Sequence, residues 1–366
     1  MIQFNTIPAS IRKPGVYMEF NTSLAVRTLP TNAQRVCFVV PLTKTGSDAA
    51  LPLVPVQVYD DATAGTLFGE VAQAMTKAAI TANPYIDLSL IGIAVTDDAE
   101  PNIKPALDVL AGGEYAIVVS TWMSQVALTA LRTHINTITD AINQKSCIGV
   151  AAVTSTLSAS TTLATALNSG AISIALLPGT ASPLTDVAAA YAAVMAGEED
   201  PARPLNTLPL TGIAPPPITA RLMRGEQETA LANGVTPLEV GPGEVVQIVR
   251  AISTYTKNPT GATDVALLDI TTMRTLYYLR KACRDRIRLR FPRDKLAKTT
   301  PTKVRSELLD VLKKCEELEI LESVDDYADK LVVERSLQDA NRLNAAIPAD
   351  VVNGLHVFAA RIDLLL

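Results

Sequence analysis

The sequence predicts an α/β fold in which a parallel β-sheet is covered by helices on both faces. Between residues 35 and 197, short runs of consecutive apolar residues alternate with longer runs in which apolar residues recur at helical spacing. Strands that are apolar on both faces are typical of a sheet buried between two layers of helices. The chain has 366 residues, of which 48% are hydrophobic, so it can bury a core of this kind.

The elements of this core can be assigned in order along the chain. Strands are predicted at residues 35–42, 86–95, 115–121, 146–153 and 171–178. Helices are predicted at residues 64–82, 103–111, 123–139, 160–168 and 183–197. Because a helix separates each strand from the next, we expect consecutive strands to run parallel.

The pattern changes after this core. A proline-rich stretch, 198–222, leads to a short predicted helix at 222–233. Residues 235–255 then form two apolar runs around Gly241-Pro242-Gly243, which predicts a β-hairpin. The remaining predicted elements are helices from Asp264 to Arg290 and over 301–319, and extended runs at 328–337 and 353–366.

Few residues in this sequence suit catalysis or metal binding. The two histidines, His134 and His356, have no His, Cys or Glu neighbour at metal-ligand spacing, and the four cysteines form no CxxC pair. Motifs for hydrolase nucleophiles and for nucleotide phosphates are absent. We therefore expect no enzyme, no cofactor and no metal site.

The composition also bears on where the protein works. No apolar run reaches the length of a membrane span, and the first residues lack the apolar core of a signal peptide. Cys37 and Cys147 lie in apolar runs, which indicates buried thiols in a reducing compartment. Charged residues make up only 19% of the chain, a low value that favours a surface partly covered by assembly. We expect synthesis in a cytoplasm and no membrane binding.

Residues 279–298 form a strongly basic run in an otherwise acidic protein. The run carries nine basic and two acidic side chains, whereas the whole chain has a net charge of −5. On a helix, Arg280, Arg284 and Arg288 fall on one stripe and are expected to be exposed. The adjacent stripe is apolar and should pack on the body of the protein; it consists of Leu276, Leu279, Cys283 and Ile287.

Three interpretations of this run stay open. In the first, it is a solvated basic face that pairs with the acidic helix 307–322. In the second, the arginines dock on an acidic surface of another protein. In the third, residues 274–298 bind nucleic acid, although no aromatic residues interleave with the arginines for base stacking and the net charge is negative.

Both ends of the chain carry an apolar run without a partner nearby in sequence. Residues 16–20 alternate, and so do the last residues of the run 353–366. Such strands are an aggregation hazard in a monomer, but they are useful if each adds to a neighbour's sheet. Pairing within the same chain stays an alternative. The predicted inter-subunit contacts are Val16, Met18, Phe20, Val357, Phe358, Ile362 and Leu364.

Three segments resemble the contractile tail sheath proteins of bacteriophages, in the short form of the Mu-type and P2-type sheaths. Residues 5–23 (NTIPASIRKPGVYMEFNTS) are similar to the N-terminal arm of that family. Residues 268–298 (LDITTMRTLYYLRKACRDRIRLRFPRDKLAK) are similar to its tube-facing helix and the turn after it. Residues 341–366 (NRLNAAIPADVVNGLHVFAARIDLLL) are similar to its C-terminal arm.

The resemblance implies a parallel-sheet core similar to the subtilisin fold, without a catalytic triad, followed by an α+β C-terminal domain and flanked by extended arms. The implied divisions are an N-terminal arm and linker at 1–33, a core at 34–255, a tube-facing domain at 256–345 and a C-terminal arm at 346–366. An additional outward domain, common in the family, is not evident here.

The resemblance also implies a function. The chain would be a structural subunit that forms hexameric rings, stacked helically around an inner tail tube, and that contracts to drive the tube through the host envelope. Arg280, Lys281, Arg284 and Arg288 would face the tube, and baseplate and tail terminator proteins would be further partners. We expect a place in a virion tail or phage-like particle, assembled in the bacterial host cytoplasm, without bound nucleic acid. The alternatives are a nucleic-acid-binding protein and a non-contractile structural protein of a virion.

Overall fold

The computed structural model describes residues 34–95 and 100–364, together with Met18, Leu29 and Asn32. Its central feature is an eight-stranded sheet with the strand order β2-β3-β1-β4-β5-β6-β7-β8. The strands are β1 (Arg35–Leu42), β2 (Val56–Val58), β3 (Asp87–Ala94), β4 (Ile117–Ser120), β5 (Ile148–Val153), β6 (Ile172–Leu176), β7 (Thr236–Val240) and β8 (Val246–Ile248). The six central strands run parallel, whereas β2 and β8 pair antiparallel at the two edges. The predicted mixed α/β fold with a mainly parallel sheet is confirmed.

Seven helices of the described chain cover the two faces of this sheet. They are α1 (Asp61–Leu67), α2 (Glu70–Ala82), α3 (Lys104–Leu110), α4 (Gln125–Ile138), α5 (Leu157–Leu167), α6 (Leu184–Gly197) and α7 (Arg224–Ala232). Helices α1, α2 and α6 share an apolar core with one face, and helices α3, α4, α5 and α7 share a core with the other. The sheet is therefore the middle layer of a three-layer structure.

Strand β1 shows why the sheet has apolar side chains on both faces. Val36, Phe38 and Val40 belong to the core under α2 and α6, whereas Cys37 and Val39 belong to the core under α3 and α4. Successive side chains of a strand point to opposite faces, so a strand buried between two helix layers must be apolar throughout.

The helix predicted at residues 64–82 is divided in two at Gly69. This glycine has a φ of 122°, a value that L side chains rarely adopt. A Cβ atom there would lie 2.0 Å from Oγ1 of Thr43. Helix α1 begins at Asp61, before the predicted residue 64, and the carboxylate of Asp60 accepts from the amide of Thr63 at 2.7 Å to cap it.

The C-terminal part packs beside this sheet and contains two long helices and a small sheet. These elements are α8 (Ile270–Arg290), α9 (Thr300–Glu317), β9 (Val332–Arg335) and β10 (Leu343–Ala346). Strands β9 and β10 pair antiparallel. A third apolar cluster, with Leu279, Val311 and Leu331 among its buried members, holds α8, α9 and the segment before β9 together.

Two predicted elements differ in this part. Helix α8 begins at Ile270 and not at Asp264, because residues 256–264 double back in a tight loop in which Tyr255 donates to Asp264 at 2.6 Å. Residues 352–364 form neither helix nor strand within the described chain. The strand predicted at 16–20 lies outside the described residues except for Met18, and the proposed four-part division of the chain stays a prediction.

Candidate functional site

Helix α8 carries most of the basic run and joins the two parts of the protein. Tyr277 packs on the core of the large sheet, whereas Leu279 and Cys283 face α9 and belong to the third cluster. Ile287 continues this contact at its half-buried position. The predicted apolar stripe therefore packs on the body of the protein, with Leu276 half-buried at its start.

Arg286 is a buried charge between α8 and α9, with a side chain only 3% exposed. Its Nη1 atom donates to Oδ2 of Asp310 at 2.5 Å and to Oε2 of Glu307 at 3.2 Å. Arg290, one turn further along α8, donates to Oε1 of Glu307 at 3.1 Å. The interpretation that the basic run pairs with the acidic helix after it is confirmed for these two arginines. A guanidinium at such low exposure needs these carboxylates, because an unpaired buried charge is strongly destabilising.

Arg280 and Arg284 turn back onto the body of the protein. Arg280 is half-buried, and it donates from Nη1 to the carbonyl oxygen of Thr139 at 2.6 Å and from Nη2 to that of Lys145 at 2.8 Å. Arg284 donates from Nη1 to the carbonyl oxygen of Gln144 at 2.9 Å. All three carbonyls lie between α4 and β5, so the two arginines tie α8 to the large-sheet core. The expectation that all three arginines of the stripe are exposed is wrong at these two positions.

Arg288 and Lys281 are the other two residues of the predicted contact surface. Arg288 is exposed, and it forms no ion pair with any residue that the structure describes. Lys281 is half-exposed, and its Nζ atom lies 3.6 Å from Oδ2 of Asp285 on the next turn. The structure thus places Arg288 with its charge in solvent at the C-terminal end of α8. The contact of all four residues with a tube stays a prediction.

A groove of about 790 Å³ runs along α8, with Arg280, Arg284 and Arg288 in its lining. Most of the other lining side chains are apolar and come from α8, α9 and the segment around β10; they include Leu276, Cys283, Ile287, Phe291, Val304 and Leu343. Apolar lining beside guanidinium groups suits an apolar segment of another molecule that also carries acidic groups.

Arg274 is a buried arginine of α8 that the sequence analysis missed. It is 4% exposed, and its Nη2 atom donates to the carbonyl oxygen of Glu198, just after α6. Burial lowers the pKa of this guanidinium to about 10. Thr271 and Tyr278, one turn away on either side, are also buried, so Arg274 lies on the interior face of α8.

The C-terminal residues predicted to contact other subunits project from the body. Val357, Phe358, Ile362 and Leu364 are each more than three-quarters exposed. None of them pairs with a strand among the residues that the structure describes. Met18 is also exposed, whereas Val16 and Phe20 lie outside the described residues. The pairing of both segments with other subunits stays a prediction.

The side chains that could serve as nucleophiles or metal ligands are buried or far apart in the described part of the chain. All four cysteines are free and buried, as expected for Cys37 and Cys147. Within residues 34–95 and 100–364, no three His, Cys, Asp or Glu side chains are grouped so that they could hold a metal ion. None of the described helices combines the length and the hydrophobicity that crossing a bilayer requires.

Comparison with known proteins gives matches over both parts of the chain. Residues 78–254 match the model of the phage tail sheath protein central domain, and residues 262–364 match that of the phage tail sheath C-terminal domain. The Mu-like prophage FluMu tail sheath protein of Haemophilus influenzae is 36% identical over 192 residues, which are 49% of this chain and 39% of that protein. This match therefore spans less than half of the relative's length.

Three solved structures share the fold at low sequence identity. The contracted helical sheath of the anti-feeding prophage has a TM-score of 0.64 and 13% identity, over 97% of this chain and 99% of that one. The six-fold symmetrised baseplate structure of the same particle has a TM-score of 0.66 and 12% identity, over 97% and 100%. A sheath tail protein of Listeria innocua has a TM-score of 0.65 and 11% identity, over 90% and 94%. With family models matching both its central and its C-terminal regions, the chain belongs to the phage tail sheath family.

Proposed function

We propose that this chain is a structural subunit of a contractile tail sheath, which polymerises around an inner tail tube and contracts to drive the tube through the host envelope. Family membership and the fold shared with a contracted sheath support this function. The proposal depends above all on the exposure of the C-terminal segment 355–364. Its large apolar side chains project into solvent from a folded body. A polymer can bury this surface, whereas an isolated subunit leaves it in water.

The energy available from this segment is large on the scale of one subunit. Leu355, Val357, Phe358, Ile362 and Leu364 are each 78–96% exposed. Burying one such side chain fully contributes about 1.5–3 kcal/mol. If the segment adds as a strand to a neighbour's sheet, its main-chain groups also gain partners. The N-terminal residues Val16, Met18 and Phe20 would make the equivalent link in the other direction.

The partners follow from this role. The chain would bind other copies of itself in hexameric rings stacked helically, the inner tail tube, and baseplate and terminator proteins at the two ends of the sheath. The likeness to a chain in the anti-feeding prophage baseplate structure is consistent with the baseplate contact. The place of action would be the tail of a virion or phage-like particle assembled in the bacterial cytoplasm.

The tube contact would depend mainly on one arginine of the predicted stripe. Arg280 and Arg284 are half-buried and donate to backbone carbonyls of the subunit itself, whereas Arg288 is exposed, so Arg288 is the arginine of the stripe best placed to reach an acidic tube surface. Lys281 lies on the same helix and can contribute. An exposed ion pair contributes only about 0.2–1 kcal/mol, so such contacts can hold register over many subunits and still break during contraction.

The core would then be a scaffold similar to the subtilisin fold, without its catalytic triad and without enzyme activity. The arrangement of the two histidines supports this role. His134 lies on α4 and His356 lies beyond β10, and among the described residues neither forms a hydrogen bond with a serine or cysteine. The energy for contraction would come from the assembled state, since no nucleotide-binding motif is found in the sequence.

Negative-stain electron microscopy of the purified chain tests the proposal. We expect hollow, striated tubes from the full chain. A variant truncated after His356, which lacks the exposed side chains of Val357, Phe358, Ile362 and Leu364, should give separate particles. Separate particles from the full chain that also retard DNA in a gel would contradict the proposal and favour nucleic-acid binding through residues 274–298.

A further inference from the structure

The C-terminal segment is fixed to the body at its root before it projects into solvent. The amide of Val352 donates to the carbonyl oxygen of Ile320. Two residues further on, a Cβ atom at position 354 would lie 2.5 Å from Cγ of Pro204 and 2.8 Å from Nε2 of His356. Only glycine therefore lets the chain pass this close to Pro204 with the His356 ring folded over it.

His356 provides the last contact of this root with the body. Its Nδ1 atom lies 2.9 Å from Nδ2 of Asn206, and its Nε2 atom lies 3.5 Å from Oδ1 of Asp269. An amide nitrogen can only donate, so Nδ1 accepts here and the ring proton is on Nε2, which forms no hydrogen bond with a described residue. The His356 side chain is 14% exposed, whereas the next residue, Val357, is 78% exposed. The hydrogen bond with Asn206 therefore requires the neutral ring.

The charged groups that face this ring are Arg250 and Asp269. Arg250 donates to both carboxylate oxygens of Asp269, at 2.8 and 2.7 Å, so the carboxylate is already neutralised. The other neighbours, Asn206 and Pro204, carry no charge. A proton on Nδ1 would remove the acceptor that Asn206 uses and would add a positive charge beside Arg250. In agreement, burial and then Arg250 lower the pKa of His356 from its ordinary value of 6.5, and Asp269 offsets this only in part.

We propose that His356 is a pH-sensitive latch, whose neutral imidazole holds the root of the C-terminal segment on the body and whose protonation releases it. A released imidazole is exposed and has its ordinary pKa, whereas the pKa of the docked one is lower. Docking is therefore complete above about pH 6.5 and weakens as the pH falls below that value towards the docked pKa. The latch is a property of the single subunit and does not depend on the proposed function.

The mobility of a spin label placed after His356 reports whether this residue is docked or released. The label is placed on Phe358→Cys, an exposed position, while the four buried native thiols stay unlabelled. Electron paramagnetic resonance of the dilute, unpolymerised full chain is recorded at pH 8 and pH 5.5. We expect the label to become more mobile at the lower pH, with an unchanged far-ultraviolet circular dichroism spectrum that excludes unfolding.

Two histidine variants assign the response. His356→Gln removes the titrating ring. We expect the mobility of the label in this variant to be the same at both pH values, whether that mobility is low or high. His134→Gln is the matched control, because it removes the other histidine of the chain, and it should keep the response. Equal mobility at both pH values in the Phe358→Cys protein, or a response that persists in His356→Gln, would overturn the latch.

Discussion

The Nη1 atom of Arg286 lies 2.5 Å from Oδ2 of Asp310, across the contact between α8 and α9. The same nitrogen also donates to Glu307, and Arg290 donates to Glu307 from the next turn. Part of the basic run of an acidic protein is therefore neutralised inside the subunit. The excess charge that remains for a partner is smaller and more localised than the sequence indicates.

Replacing Arg286 tests the energetic role of this buried pair. Arg286→Ala leaves Glu307 and Asp310 without their buried guanidinium, and breaking such a pair costs about 3 kcal/mol of folding free energy. Arg288→Ala on the same helix removes an exposed arginine and should change stability by at most about 0.5 kcal/mol. Urea unfolding of both variants provides the measurement. Equal midpoints for the two would show that the pair contributes nothing to stability.

Charge reversal separates arginines that hold the subunit together from those available to a tube. Arg280→Glu loses two charge-assisted hydrogen bonds to carbonyl oxygens and places a carboxylate against them, which should cost about 3 kcal/mol of stability. Arg288→Glu should leave the unfolding midpoint unchanged.

The same Arg288→Glu variant should assemble less well on an inner tube. The loss per subunit is roughly 0.2–1 kcal/mol, and it should shrink as salt is raised because exposed ion pairs are screened. Co-assembly with purified tube, scored by electron microscopy at low and high salt, gives the result. Undiminished sheath at low salt would mean that this end of α8 faces elsewhere.

The cysteines should be unreactive in the folded protein. Burial raises the pKa of Cys147 and Cys283 to about 12 and that of Cys315 to about 11, and it raises the pKa of Cys37 further still. The thiolate is the reactive form, so at pH 8 Ellman's reagent should detect no thiol in the native protein and all four after denaturation. An added cysteine in Ile362→Cys, at an exposed position, should react at once. Rapid reaction of a native thiol would place it at the surface.

Removing the exposed C-terminal residues should abolish polymerisation and leave the fold intact. Truncation after His356 removes exposed residues and keeps the contacts at the root of the segment. We expect a monomer in analytical ultracentrifugation with an unchanged thermal midpoint. Arg361→Ala, which breaks only the local pair of Arg361 with Asp363, is the control and should polymerise normally. Normal tubes from the truncated chain would exclude the segment from assembly.

Much of the fold could be predicted because buried parallel strands are nearly unbroken apolar runs. Strand β1 occupies the residues predicted for it, 35–42. In contrast, β2 has three residues at a sheet edge, with a glutamine between two valines, and such a run has no distinctive pattern. The break between α1 and α2 depends on the positive φ of Gly69. The spacing of apolar residues contains no information about this backbone angle.

The candidate site could be predicted only in part, for a related reason. Helical spacing correctly predicted the apolar stripe of α8 and its contact with the body of the protein. The partners of Arg280 are backbone carbonyls of residues 139 and 145, which every sequence contains and no side-chain pattern marks. The partners of Arg286 are side chains, and the acidic helix that supplies them was recognisable.

We propose that this chain forms a sheath with α8 directed towards the tube. A helical cryo-electron microscopy reconstruction of the polymer tests it most directly, because it gives the radius of every residue. We predict a hollow helical lattice in which the segment 355–364 lies on a neighbouring subunit and Arg288 lines the inner wall. A polymer with α8 on its outer surface, or with segment 355–364 in contact with its own subunit alone, would contradict the claim.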